Sequence, residues 1–158
     1  MRFGVTLLVL GVLAEPLAAQ YSPPRTQWSL DVSPTYAGAI TFARRLENSQ
    51  LMWGLGTGFG WELNNHTFDR QFWNVLHLEG FARYQPAPRF QADVGLSVAA
   101  SSPTDDTSEQ RVFLGLYSSA LIGHRFLFFG PQARLGFLDS DFGVQWNFAV
   151  RAVLPLGT

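Results

Sequence analysis

The feature that most constrains this chain is a strict alternation of large apolar residues with small or polar ones. In residues 142–154 the even positions are all apolar, whereas the odd positions are mostly small or polar. The even positions carry Phe142, Val144, Trp146, Phe148, Val150, Ala152 and Leu154. Neighbouring side chains on a strand point to opposite faces, whereas a helix would mix the two sets. The run therefore predicts a β-strand with one apolar face.

The same alternation recurs along the chain. Clear runs occupy residues 51–63, 90–100 and 127–137, and less regular ones occupy residues 72–84 and 111–122. Each is about as long as the 9–11 residues that a tilted membrane-spanning strand needs. The chain is therefore expected to be all-β, built from long strands.

The breaks between the runs differ in length. Residues 64–71 and 101–110 are long and polar, whereas residues 85–89 and 123–125 are short. Outer-membrane barrels have short periplasmic turns and longer external loops.

The number of strands follows from this alternation of long and short breaks. The break at residues 45–50 lies on the short-turn side, so the strand before it runs toward that side. Both chain ends normally lie there too, which requires one more strand, supplied by residues 27–33 and turning at Pro34 and Thr35. The total is eight, an even number as bacterial single-chain barrels require. The predicted fold is an eight-stranded antiparallel up-and-down transmembrane β-barrel.

The composition of the smaller face decides which face points outward. That face is rich in Gly, Ala and Ser rather than in the charged residues of a solvated surface. The interior of an eight-stranded barrel is filled by side chains, so small residues fit inside and the apolar face meets lipid. Aromatic residues near the strand ends are expected to form two interfacial belts. The upper belt comprises Tyr36, Trp61, Phe72, Phe137 and Phe142, and the lower belt Trp28, Phe42, Tyr84 and Phe90.

Ionisable residues on the inward face form a predicted lumen charge network. Its members are Asp31, Glu62, His77, Glu79, Arg83, Asp93, Arg111, Arg134 and Arg151. Buried charges require partners because desolvation is costly, so we expect these groups to pair and plug the lumen. We expect Asp31 and Arg151 to pair because the first and last strands must close the barrel.

The N-terminus has the order of a secretory signal peptide. Arg2 precedes an apolar run at residues 5–13, and Ala18 and Ala19 follow it. The run is too short for a helix that crosses a bilayer. Residues 1–19 are therefore predicted to be a signal peptide, and residues 20–158 a barrel domain in the cell outer membrane.

Residues 27–158 resemble the small eight-stranded outer-membrane barrels of the OmpA/OmpX type. The resemblance rests on the strand pattern and on the glycine–aromatic run at residues 53–61. It implies a monomeric barrel that contacts membrane lipids and lipopolysaccharide and is inserted by the barrel-insertion machinery. The chain departs from the pattern at Pro131, which lies inside a strand and predicts a bulge beside Gly130.

The sequence predicts no catalytic residue, no metal site and no cofactor. His66, His77 and His124 have no zinc-ligand spacing, and the chain contains no Cys. His77 and Glu79 share one inward face and could form an acid–base pair, although a structural role is favoured. The net charge of −1 gives no reason to expect nucleic acid as a partner.

The expected function is structural or interaction-based. Two alternatives stay open: a lipid A-modifying membrane enzyme, and a soluble periplasmic ligand-binding barrel whose apolar face lines a cavity. The predicted external loops are acidic, whereas the short turns carry arginine. The turn arginines are Arg44, Arg45, Arg89 and Arg125.

Overall fold

The computed structural model describes residues 21–33, 36–47, 49–59, 62–63, 72–103, 111–138 and 140–156. Within these ranges the chain forms eight strands, the third of which has two segments. They are β1 Thr26–Ser33, β2 Tyr36–Arg45, β3 Leu51–Phe59 with Glu62–Leu63, β4 Phe72–Ala87, β5 Phe90–Pro103, β6 Arg111–His124, β7 Leu127–Leu138 and β8 Asp141–Leu156. In the described ranges there is no helix with the length and apolar character needed to cross a membrane.

The strands close into a barrel. Each strand pairs antiparallel with the next one along the chain, and β1 pairs with β8 from Thr26↔Leu156 to Val32↔Val150. Closure gives each of the described strands two hydrogen-bonded neighbours, so the sheet presents no long open edge for pairing with another chain. The predicted all-β, eight-stranded, up-and-down antiparallel barrel is confirmed.

Two hairpin turns at one end of the barrel are tighter than the sequence pattern predicted. Backbone pairing continues to Ala87↔Phe90 and to His124↔Leu127. Each of these hairpins therefore turns on two residues, at positions 88–89 and 125–126. The predicted breaks were too long because backbone pairing continues where the side-chain alternation is already lost. We call this end of the barrel, where β1 begins and β8 ends, the short-turn end.

Pro131 interrupts the ladder without producing a bulge. On β7 the pairs Ser119↔Gln132 and Ile122↔Phe129 keep the same register on both sides of the proline. Proline has no N–H, so the ladder to β6 lacks pairs at this point. A Cβ at position 130 would overlap the carbonyl oxygen of Ala120. Because Gly130 has no Cβ, the two backbones can approach closely here. The bulge prediction was therefore wrong.

The outer face of the barrel is apolar. Large hydrophobic side chains remain exposed around it, among them Leu96 at 60% and Trp146 at 71%. The inward face is buried and holds most of the polar and charged strand side chains that the structure describes. This distribution is the reverse of the usual arrangement in a water-soluble domain.

The interior also contains large aromatic side chains, so the inward face is less uniformly small than its Gly, Ala and Ser content suggested. Phe81, Phe113, Tyr117 and Phe128 are all buried. Glycines on the same or neighbouring strands make room for them. A Cβ at Gly115 or Gly136, for example, would lie within 2.8 Å of the ring of Phe113.

Candidate functional site

The centre of the interior is a carboxylate held between two guanidinium groups. The Asp93 carboxylate on β5 accepts two hydrogen bonds from Arg83 on β4, at 2.8 and 3.1 Å. It also lies 2.8 Å from Nη1 of Arg151, which comes from β8 on the other side of the barrel. All three side chains are buried. The arrangement joins opposite walls of the barrel by charge-assisted hydrogen bonds, which are stronger than neutral ones.

A second carboxylate joins the same cluster at the seam between the first and last strands. Asp31 on β1 accepts two hydrogen bonds from Arg151, from Nε and from Nη2, each at 2.7 Å. The two residues are also direct cross-strand partners in the β1–β8 ladder. The pair expected from barrel closure is therefore present, and it ties the two strands that are most distant in sequence.

Tyr117 and Gln91 complete the hydrogen bonding of Arg151. The Tyr117 hydroxyl accepts a hydrogen bond from Arg151 at 3.1 Å and donates one to Asp93 at 3.5 Å. The side-chain oxygen of Gln91 accepts a further hydrogen bond from Arg151 at 3.2 Å. Buried guanidinium groups are costly unless their donors are satisfied, and these neutral groups provide the remaining acceptors.

A second group lies nearer the opposite end of the barrel. Glu79 on β4 is bound by Arg134 of β7, and Nε2 of His77 lies 3.8 Å from the same carboxylate. All three residues are buried. The carboxylate of Glu79 is thus held by Arg134. The sequence allowed His77 and Glu79 to form an acid–base pair, and the structure places both side chains in a buried ionic group with Arg134.

The interior charges balance among the side chains that the structure describes. The carboxylates of Asp31, Glu79 and Asp93 face three guanidinium groups, from Arg83, Arg134 and Arg151. Glu62 and Arg111 were predicted members of the network, and their side chains lie outside the described part of the chain. The described groups form an ionic core in the barrel interior, in which side chains from different strands pair with one another.

A polar chain leads from this core to the short-turn end. Arg83 donates a hydrogen bond to the side-chain oxygen of Gln27 at 3.1 Å, and Gln27 in turn donates one to Gln85 at 2.7 Å. Gln85 donates a hydrogen bond to the hydroxyl of Tyr21 at 3.0 Å. Burial raises the pKa of Tyr21, which lies outside the strands. The segment before β1 thus lies across the barrel mouth, beside a cavity of about 350 Å³.

Sequence reasoning missed the neutral members of the network. Gln27, Gln85, Gln91 and Tyr117 are buried and hydrogen-bonded to the ionic core or to its extension. The inward-facing parity of Gln27, Gln91 and Tyr117 was readable from the alternation. Their role could not be read from the alternation, because it depends on which residues of the other strands each side chain contacts in the folded barrel.

Aromatic side chains cluster on the outer face near both ends. At the short-turn end Trp28 packs against Phe42 with ring centroids 5.1 Å apart, and Phe42 packs against Trp53 at 6.3 Å. At the other end the rings of Phe137 and Phe142 lie 5.3 Å apart. The predicted belt residues Tyr84 and Phe90 also lie near the short-turn end. The side chains of Tyr36, Trp61 and Phe72 lie outside the described part of the chain.

No group of three or more potential metal ligands is clustered within the described residues. His66 lies outside the described ranges, and His124 is exposed at the end of β6.

Taken together, the fold and interior define a class of protein: a closed eight-stranded antiparallel β-barrel with an apolar outer surface and a paired ionic core. Comparisons with protein-family models, with curated proteins and with solved structures find no match. The class therefore rests on the geometry of this chain.

Proposed function

We propose that the chain is an outer-membrane β-barrel with a structural or interaction role. The observation that carries the proposal is the inverted distribution of side chains, with large hydrophobic groups outside and paired charges inside. An apolar surface that surrounds a barrel is far larger than the patches that soluble monomers expose. Membrane barrels have such an apolar outer band flanked by aromatic residues and a polar interior.

In this proposal residues 1–19 direct export to the cell envelope, and the barrel-insertion machinery places residues 20–158 in the outer membrane. The short-turn end faces the periplasm, and the opposite end faces the lipopolysaccharide surface. These assignments follow from the signal-peptide pattern of the N-terminus and from the usual asymmetry of such barrels.

Two observations bear on the alternatives. The apolar face lies on the outside of the barrel, which argues against a soluble ligand-binding barrel whose apolar face lines an internal cavity. The candidate acid–base pair, His77 and Glu79, lies in a buried ionic group that Arg134 shares. Neither observation favours the lipid A-modifying enzyme, so the structural role is the conclusion.

The proposal is tested by membrane fractionation of the full chain together with gel mobility of the detergent-folded protein. We expect the protein in the outer-membrane fraction and a heat-dependent change in mobility, because a closed barrel resists unfolding by detergent until it is heated. A protein that stays soluble without detergent and shows no mobility shift would refute the membrane assignment.

The packed interior also predicts the behaviour of the purified barrel in a planar bilayer. The described charges cross the lumen in paired contacts, and a barrel of eight strands is only wide enough to be filled by its own side chains. We expect no steady, large single-channel conductance. Regular large openings would contradict a plugged lumen while leaving the membrane location intact.

A further inference from the structure

Three arginines gather on one side of the short-turn end. Arg25, Arg44 and Arg45 surround a concave site of about 370 Å³, together with Glu47. Three guanidinium groups against one carboxylate leave a formal charge of +2 at this site. Arg25 and Arg44 are exposed, and Arg45 is half-buried. The ionic core does not include these residues, so the charge there is available to an external anion.

The backbone holds these arginines together. The Arg45 N–H donates a hydrogen bond to the carbonyl oxygen of Arg25 at 2.8 Å. Nη1 of Arg45 donates one to the carbonyl oxygen of Pro23 at 2.6 Å. These two bonds fix the segment before β1 against the end of β2. The positive groups of two separate chain segments are therefore positioned beside one another.

An aromatic surface adjoins the arginine site on the outer face. Arg44 is the cross-strand partner of Trp53, so both side chains lie on the outside of the sheet. Trp53 packs on Phe42, and Phe42 packs on Trp28. The site thus combines a cationic recess at the barrel end with an apolar aromatic face directly beside it on the wall.

We propose that this site binds an anionic glycerophospholipid, with the phosphate on Arg25, Arg44 and Arg45 and the acyl chains along Trp28, Phe42 and Trp53. The inference rests on the proposed membrane location and adds a specific lipid class to it. Guanidinium groups bind phosphate oxygens in a bidentate geometry, and aromatic rings favour the level of the lipid headgroups. A free phosphate ion would use the recess alone, whereas a lipid uses both surfaces.

Native mass spectrometry of the detergent-folded full chain tests this proposal. The protein is mixed with phosphatidylglycerol or with phosphatidylcholine, and the lipid-bound fraction is measured for each. We expect the wild type to retain one phosphatidylglycerol in preference to phosphatidylcholine. The variant Arg25→Gln with Arg44→Gln should bind phosphatidylglycerol about tenfold more weakly, since it loses two charge-assisted contacts. The variant Trp53→Ala should also weaken binding.

A matched control removes the same charge elsewhere on the same end of the barrel. Arg89 and Arg125 are exposed at the two tight turns. The variant Arg89→Gln with Arg125→Gln should therefore bind phosphatidylglycerol like the wild type. Equal loss of binding in both double variants would overturn the proposal, because the effect would then be general electrostatics.

The remaining outcomes separate this inference from the membrane assignment. A barrel that shows heat-modifiable mobility but binds the two lipids equally would overturn the lipid site alone. Displacement of phosphatidylglycerol by excess inorganic phosphate, with Trp53→Ala unchanged, would overturn the lipid as the occupant and leave a phosphate site. A protein that does not fold in detergent would overturn the proposed function itself.

Discussion

At the scale of single residues, the interior depends on which charges can reach one another across the barrel. Asp93 contacts Arg83 of β4 and Arg151 of β8, whereas Asp31 contacts Arg151 alone among the ion pairs described. Asp93 is thus the carboxylate on which two guanidinium groups converge. Removing one partner of a buried ion pair destabilises a protein much more than replacing both partners by apolar residues, because the remaining charge stays buried without a partner.

Asp93→Asn is expected to lower the free energy of unfolding by about 3–5 kcal/mol, since Arg83 loses its carboxylate partner. The measurement is the urea midpoint of the detergent-folded protein, followed by the mobility of unheated samples on a gel. Ser97→Ala is the matched control, because Ser97 is buried on the same face of β5 and its hydroxyl makes no hydrogen bond to the described protein groups. Comparable losses in both variants would contradict a specific role for the charge.

Gly54→Ala is expected to destabilise the barrel by about 1–3 kcal/mol, the usual cost of overpacking a well-packed interior. The new Cβ would overlap the ring of Phe81 and lie 2.7 Å from the carbonyl oxygen of Phe42. Gly80→Ala provides the comparison, because its Cβ would meet Leu55 at an ordinary 3.8 Å. Urea unfolding of the two variants checks the prediction. A Gly54 variant as stable as the Gly80 variant would show that the interior has room to adjust.

At the scale of elements, the alternation located six of the eight strands, and the character of the breaks predicted the first two, but the observed ends of the strands differ from the predicted ones. The strands β4 and β5 continue to Ala87 and to Pro103, beyond the predicted runs. An alternation pattern reports which residues face the outside or the interior of the barrel, and it is lost near the strand ends, where fewer side chains are enclosed. Backbone hydrogen bonds continue there because they do not depend on the identity of the side chain. Strand ends therefore could not be predicted from the pattern.

The turn between β6 and β7 carries a prediction of its own. Arg125, the first of the two turn residues, has a φ of 58°, in the left-handed region. Such hairpins normally place glycine at this position, since a Cβ there is unfavourable. We expect Arg125→Gly to keep or slightly raise the free energy of unfolding and Arg125→Val to lower it by about 1–2 kcal/mol. Urea unfolding compares the two, and the opposite order would contradict the strain assigned to this turn.

At the scale of the whole molecule, the solvent around the barrel determines which substitutions its outer face tolerates. Leu96 lies in the middle of β5, is 60% exposed, and has Gly80 and Leu116 as cross-strand partners. An arginine at the midplane of a lipid bilayer costs about 2–4 kcal/mol in a membrane barrel and much less near the interfaces. If water surrounded the barrel, an exposed arginine would cost little both in the middle of a strand and near its ends.

Leu96→Arg is therefore expected to lower the free energy of unfolding in lipid vesicles by about 2–4 kcal/mol. Leu46→Arg is the control, because Leu46 is exposed at the short-turn end, where an arginine reaches the headgroups. Folding into vesicles with urea as the denaturant gives both values. If Leu96→Arg were as mild as Leu46→Arg, the outer face would not lie in lipid.

The sequence by itself determined the strand period, the even number of strands and, among the side chains that the structure describes, which ionisable residues face inward. These properties are local, since they depend on residue spacing along one strand and on the length and polarity of the breaks between strands. Only the tertiary structure decided that Asp93 lies between Arg83 and Arg151, that Tyr117 and Gln91 complete the core, and that Arg25 lies beside Arg44. Such partners come from strands far apart in the chain, and closure of the barrel and its register bring them together.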